Sequence, residues 1–368
     1  MEKFYLAALT AVLGTASRKT LKLLNRYGDA RAAYEVSAEE LKANGFLTQV
    51  QYKYYQTVWQ KDLPEIIAEQ CQRLNVDIVT YRASNYPLSL RNMGNAPVLL
   101  YVRGHLPPNK NWLAVVGSRK ATAYGLQVAE DLSERLAQAG VVIVSGGALG
   151  IDAAAHRGAV KAHKPTVAVL GTGVDYYYPR QNARLFDEII YNGAIVSEFP
   201  FGTKALTQHF PMRNRIIVGL SRAVAVIEAA LKSGAMITAD LALEQGKEIF
   251  CVPGSIYSFT SKGTNSLIKD GAALLDRPED ILLAFKMLGT VKETKQKIEH
   301  PDLFAVLPQQ EAGQAAVVLD ALSYNQAITL EEVLVATNLP LAEVSGILLN
   351  LQIGGLIREQ AGQRYTRI

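Results

Sequence analysis

Between residues 75 and 288 the chain alternates β-branched apolar runs with helix-length stretches of mixed polarity. The runs are VDIVTY, PVLLYV, WLAVVG, VVIVS, TVAVLG, AIVSE, AVAVIEA, EIFCVPG and AALLD. A parallel strand pair needs a long crossover, and a helix that supplies it also covers a sheet face. The alternation therefore predicts an α/β fold, a doubly wound parallel sheet built from βαβ units.

Several of these runs end in Gly, Ser or Thr: Gly117-Ser118, Ser145-Gly146-Gly147, Gly171-Thr172-Gly173 and, after the next strand, Ser233-Gly234. Ligands of such sheets bind at the carboxyl ends of the strands, where small residues let amides come close and helix N-termini add positive potential. Phosphate is the natural guest. A dinucleotide fingerprint is missing, because GSRKATAYG and GTGVDY lack the third glycine and the second strand ends in Ser145, not an acid. Lys232-Ser233 has no Walker glycine frame, so neither NAD, FAD nor ATP is expected as a cofactor.

The rim carries cations and aromatics instead. Arg119 and Lys120 follow the first turn, Arg180 follows DYYYP, and Lys204 precedes HFPMRNR with Phe210, Arg213, Asn214 and Arg215. Arg213 and Arg215 cannot share a helix face, so one is expected to reach ligand while the other braces the structure. Tyr176, Tyr177, Tyr178, Phe199 and Phe201 lie interleaved with these cations. A positive groove with aromatic platforms suits single-stranded nucleic acid.

The flanks differ. Residues 1–65 read as short helices with Leu6, Leu9, Leu13, Leu21 and Leu24 in step, and Gly14, Gly28 and Gly45 as breaks. They fit a helix-hairpin-helix or a SAM-like bundle; with only Gly45 in NGFLTQ, a packing role is favoured over a phosphate grip. Residues 289–309 are charged and aperiodic, a linker. Residues 310–368 give three helices and a hairpin around Ala361-Gly362, a winged-helix order, with a capping box from Thr329 to Glu332. The third helix, LAEVSGILLNLQ, has no Lys or Arg, so protein contact and groove reading stay equally open.

The net charge of +4 permits a polyanion partner without requiring one. Cys71 and Cys251 sit in no metal spacing, and no apolar run approaches the ~18 residues of a membrane span. The start MEKFYLAALTAVLGTAS lacks the basic cluster of a signal peptide, so the expected location is cytoplasmic, with no membrane contact.

VVGSR, IVSGGALGIDAAAHRGAV, AVLGTGVDYYYPRQN, HFPMRNRIIVGLS, IEAALKSGAMITADLALEQGKEIFCVPGS and GTNSLIKDGAALL together closely resemble the DNA-processing protein A family, DprA or Smf. The resemblance is dense over residues 75–288 and implies an extended Rossmann-like domain between the helical front and the winged-helix tail. It implies a non-enzymatic recombination mediator that protects incoming single-stranded DNA and loads RecA during natural transformation. Phosphate-contacting positions then fall at Gly117, Ser118, Arg119, Gly146, Arg180, Lys204 and the RNR of residues 213–215. The implied homodimer uses the closing segment, where Leu267, Ile268, Leu274 and Leu275 exceed what one edge strand needs to bury. The competing class is a nucleotide-processing enzyme of the phosphoribohydrolase type. Glu228 would be its carboxylate but lacks the paired glycines before it, and His156 reads as a packing histidine.

Overall fold

The computed structural model describes residues 1–15, 17–108, 111–287, 309–323, 327–360 and 362–367. The chain divides into two units, Met1–Ala121 with Gly125–Leu288, and Thr122–Tyr124 with Gly289–Ile368.

In the first unit every apolar run becomes a strand: β1 Val76–Thr80, β2 Leu99–Gly104, β3 Trp112–Val116, β4 Val142–Ser145, β5 Thr166–Val169, β6 Ala194–Ser197, β7 Ala223–Val226, β8 Glu248–Cys251 and β9 Ala273–Leu274. They form one nine-stranded sheet in the order β1-β2-β6-β5-β4-β3-β7-β8-β9. From β6 to β9 all pairs are parallel. The β1–β2 and β2–β6 pairs are antiparallel, which corrects the all-parallel expectation. For β1–β2 the reason is local: the only helix between them is the single turn Leu88–Arg91, too short for a crossover.

Strand order reverses between β3 and β7, so the connections after these strands diverge there. Ahead of β3 the helices are α1 Glu2–Leu13, α2 Ser17–Tyr27, α3 Ala30–Glu35, α4 Ala38–Ala43, α5 Gln49–Val58, α6 Leu63–Leu74 and α7 Leu88–Arg91. Then come α8 Ala123–Gln138 after β3, α9 Ile151–Lys161 after β4, α10 Ala183–Asn192 after β5, α11 His209–Leu220 after β6, α12 Gly234–Glu244 after β7 and α13 Lys262–Lys269 after β8. β3 is buried at all five positions because both faces are covered. On one face Ala114, Val116, Val144 and Val169 pack against Ile216, Ile217 and Leu220 of α11.

The other face meets the helical front. Leu6, Leu9 and Leu13 of helix Glu2–Leu13 share one core with Tyr101, Leu170, Phe186 and Ile195 of the α/β part. Caps end these short helices cleanly, with Asp29 and Ser37 accepting from the third residue on and Thr48 in a capping box with Gln51.

The closing segment departs from its expectation. Leu267 and Leu275 belong inside the protomer, at 7% and 2% exposure. The edge strand β9 is only two residues long, so it lacks the long apolar edge the sequence suggested. Of the four leucine and isoleucine positions, Leu274 alone is exposed and Ile268 is half-buried.

The second unit contains helices Gln309–Ala321, Leu330–Thr337 and Leu341–Ile353, with strands Ile328–Thr329, Ile357–Gln360 and Arg364–Arg367 forming a small antiparallel sheet. This is a winged helix around Val318, Val333, Val344, Leu348 and Ile357. Thr329 and Glu332 close the expected capping box. The linker at 289–309 lies outside the described residues except Gln309, and so does Ala361 of the hairpin turn. Among the described residues no single helix is long and apolar enough to cross a membrane.

Candidate nucleic-acid interface

The ends of β3, β4, β5 and β7 come together along one edge of the parallel sheet, but most of their glycines serve packing. A Cβ on Gly117 would lie 2.6 Å from Ile151, and one on Gly150, which has φ +79°, would lie 2.2 Å from the Ser118 carbonyl. The turn after β3 is thus pressed onto the start of α9. Its Ser118 amide donates to the Glu228 carbonyl at 2.8 Å, and the Lys120 amide to Ser118 Oγ at 3.1 Å.

After β4, Gly146 and Ala148 amides donate to Asp152 Oδ2 at 3.1 and 3.3 Å. The Gly146 amide was expected to face a phosphate; it is spent on a side chain of the same loop-helix unit. The Gly146 carbonyl accepts from Arg213 Nη1 at 2.6 Å, and the same nitrogen donates to the Val169 carbonyl. A Cβ on Gly146 would stand 2.5 Å from that guanidinium, so only glycine fits beneath it. Asn182 completes the clamp, donating to the Gly147 and Ala148 carbonyls at 3.0 and 3.2 Å.

Arg213 is 4% exposed, so it does not present its charge to solvent as expected for a DNA contact. Burial lowers it to about 10, opposed by Asp152, and it stays cationic at neutral pH. Burial likewise pushes Asp152 above its usual range, while Arg213 and the loop donors pull it back. Arg215 pairs with buried Glu198 and donates to the Asn95 carbonyl at 2.7 Å. Burial raises Glu198 to about 6 against the pull of Arg215. Asn214 donates to Thr238 Oγ1 at 3.0 Å, toward α12. The sequence left one arginine for ligand; the structure ties up both.

His156 is fully buried beside Arg213, and the two effects hold it down to about 3, so it is neutral. Thr166 Oγ1 gives its proton to the Ile143 carbonyl and therefore accepts from His156 Nδ1 at 2.8 Å. It is a packing histidine. Glu228 is 2% exposed, with Gly125 directly against its carboxylate. Ser233 caps α12 through the Met236 amide at 3.4 Å.

What faces outward is a different set. The Arg119 guanidinium lies 5.2 Å from the Phe210 ring centroid, and the Tyr178 ring lies 5.7 Å from the same ring at a tilt of 37°. Phe210 sits over Gly171, where a Cβ would be 3.1 Å from the ring. Phe210 thus joins a cation from the end of β3 to a ring from the end of β5. Arg119, Lys120, Arg180 and Lys204 are all exposed, and none has a carboxylate partner among the described residues. Tyr177 is spent elsewhere, accepting from Arg103 at 3.0 Å and donating to Asp187 at 2.7 Å. Phe199 is buried and stacks on His209 at 4.2 Å. Cations beside stacked rings are what a single strand requires: phosphates pair with the former and bases lie on the latter. Among the described residues no group of His, Cys, Asp and Glu is placed to hold a metal ion.

Sequence reasoning missed Asp152 and Asn182. The signal for Asp152 was an acid on the first turn of a helix directly after a glycine loop.

Residues 77–286 match the family model of DNA recombination-mediator protein A, and residues 305–363 match that of the DprA winged helix domain. Protein Smf of Escherichia coli K12 is 39% identical over 287 residues, covering 77% of this chain and 75% of that protein. The X-ray structure of DNA processing protein A from Streptococcus pneumoniae is similar with TM-score 0.65 and 33% identity, over 77% of this chain and 98% of that one. A structure describing the single-stranded DNA binding mode of DNA processing protein A from Helicobacter pylori gives TM-score 0.52 and 31% identity, over 58% and 97%.

Proposed function

Because the chain belongs to the DNA recombination-mediator protein A family, we propose that it binds single-stranded DNA across the strand-end rim and loads RecA on it. The observation that carries this reading is the Arg119–Phe210–Tyr178 contact flanked by exposed Lys120, Arg180 and Lys204, which have no carboxylate partner among the described residues. Such a rim tracks a backbone and offers ring faces to any base, which suits protection of incoming DNA in transformation better than sequence readout. The function is mediation in the cytoplasm, not catalysis. Residues 75–288 carry the DNA, with the 1–65 and 310–368 segments as accessory domains. Gly117, Ser118 and Gly146 shape the rim, while Arg119, Lys120, Arg180, Lys204 and Phe210 touch the strand. A homodimer would hold one strand at two rims and raise affinity through effective concentration.

Anisotropy with single-stranded and duplex oligonucleotides tests the binding. Affinity should favour the single strand and fall by about 0.7 log units per log salt for each phosphate neutralised. Equal affinity for duplex, or indifference to salt, refutes the rim. Addition of the protein should also speed RecA filament growth on single strands, and no acceleration refutes the loading role.

A further inference from the structure

Tyr178 and Arg180 are carried by the loop after β5, Lys204 and Phe210 by the segment from β6 into the first turn of α11. These two stretches are laced together, and one of the laces is a carboxylate. We infer that Asp175 is a positioning residue, which latches the second stretch to the first and so holds Lys204 at the rim. The inference rests on the rim reading and adds to it a side chain that sets the rim's geometry without touching the strand.

Asp175 is exposed, close to residues that are read as a seat for a polyanion. A carboxylate there repels phosphate, so on electrostatics alone it is a liability. Nor does it neutralise a rim cation, since it makes no ion pair among the described residues. Its two oxygens instead both accept from the Gly202 amide, Oδ1 at 3.0 Å and Oδ2 at 2.9 Å. A backbone amide held by a carboxylate is a charge-assisted bond, stronger than a neutral one. The turn it grips is tight. Gly202 has φ +74°, and the Thr203 amide and hydroxyl both donate to the Pro200 carbonyl, at 3.3 and 2.7 Å. Lys204 follows directly, so its Cα is within about 8 Å of the Gly202 Cα.

The lacing continues on both sides of this bond. The Gly173 amide donates to the Thr203 carbonyl at 3.0 Å, and Ser197 Oγ to the Thr172 carbonyl at 2.6 Å. A Cβ on Gly173 would collide with Asp175 Oδ1 and lie 2.7 Å from the Pro200 carbonyl, so the two loops meet with no room for a side chain. At the start of α11, His209 Nδ1 lies 3.2 Å from the Gly171 carbonyl and, since a carbonyl only accepts, carries the proton. Phe210 therefore follows a residue that is itself pinned to the β5 loop. Lys204 lies five residues earlier and depends on the Gly202–Thr203 turn. Of the bonds that tie this turn to the β5 loop among the described residues, that of Asp175 uses a side chain and can be removed by substitution.

The test measures binding of a thymidine oligonucleotide to the full chain by anisotropy across a salt series. Asp175→Ala removes an anion from the rim, so Coulomb attraction alone predicts tighter binding. The latch predicts the opposite sign. Affinity should fall by roughly 5- to 50-fold, the scale of one lost charge-assisted contact. The salt slope should fall by about 0.7, as in Lys204→Ala, because the same phosphate contact is lost. Asp175→Asn keeps an oxygen for the Gly202 amide and should restore both affinity and slope. In a Lys204→Ala background, Asp175→Ala should add little. Tighter or unchanged binding by Asp175→Ala, equal loss in Asp175→Asn, or additive loss with Lys204→Ala overturns the latch. If Lys204→Ala binds as wild type while Arg119→Ala weakens, the latch has nothing to position and falls, and the rim stands. If neither weakens binding, the rim itself fails. Gly202→Ala strains the same turn from its other side, since φ +74° disfavours a side chain, and should lose affinity and slope alike. Thermal melts check folding, and Gly202→Ala keeps the result decisive if Asp175→Ala is unstable.

Discussion

Replacing Arg213 by alanine asks whether the charge beneath the rim holds the fold or the ligand. Its guanidinium donates to the Gly146 and Val169 carbonyls and faces the buried Asp152. Arg213→Ala leaves those buried acceptors unmet and a buried carboxylate without its counter-charge. Breaking a buried pair from one side costs about 3–5 kcal/mol. For a chain of this size that is a fall in melting temperature on the order of 10 °C. The pH dependence carries a signature. Burial already holds Asp152 above its usual range, and Arg213 opposes that shift. Without Arg213 the carboxyl rises further. A carboxyl raised in the folded state binds its proton more readily there than in the unfolded chain. The stability it contributes is therefore present at low pH and lost as pH rises through the folded value. The deficit of Arg213→Ala against wild type should be largest near neutrality and narrow as pH falls toward about 5. Urea melts of both proteins across that range measure it. A variant that melts with wild type at neutral pH yet loses DNA affinity would place Arg213 at the ligand and refute the brace.

Arg119→Ala should do the reverse, weakening single-strand binding by roughly 1–3 kcal/mol in anisotropy titrations. Its melting should stay within about 0.5 kcal/mol of wild type, since it is exposed; a collapse would make it structural. Gly146→Ala forces a Cβ to 2.5 Å from the Arg213 guanidinium and should cost roughly 1–3 kcal/mol in chemical denaturation; a neutral result would mean the loop is not clamped. Leu274→Glu should yield folded monomers in sedimentation, whereas Leu267→Glu buries a charge and should yield misfolded protein. Folded Leu267→Glu monomers would instead put that side chain at the interface.

The sheet was legible because its central strands are buried on both faces, so β3 and β7 spell the unbroken apolar runs WLAVV and AVAV. The two antiparallel edge pairs were not, because strand direction depends on how far a connection travels, and the short turn at Leu88–Arg91 is a weak local signal. The glycine turns were visible, but their purpose was not. Gly146 is glycine because Arg213, 67 positions along the chain, lies against it. Nothing in SGGALGID announces that contact. The spacing of Arg213 and Arg215 argued against a shared face and left one for ligand, but it could not show that a buried acid waits for each. Asp152 and Glu198 both do. Likewise an apolar surplus at Leu267 and Leu275 is the same in sequence whether it faces a partner or the protomer's own core.

These two layers of charge also fix how the rim should respond to loss of any one residue. The buried layer is balanced, with Arg213 facing Asp152 and Arg215 facing Glu198. Its members cancel at the distance of a bound strand, so the field there is set by the exposed cations Arg119, Lys120, Arg180 and Lys204. Removing one of those takes away one phosphate contact and should reduce the salt slope by about 0.7. Removing a buried arginine instead exposes an uncompensated anion under the rim. That change weakens binding through repulsion and loop distortion together. The two classes of arginine are therefore separable by salt titration alone, even when single-condition affinities fall by the same factor.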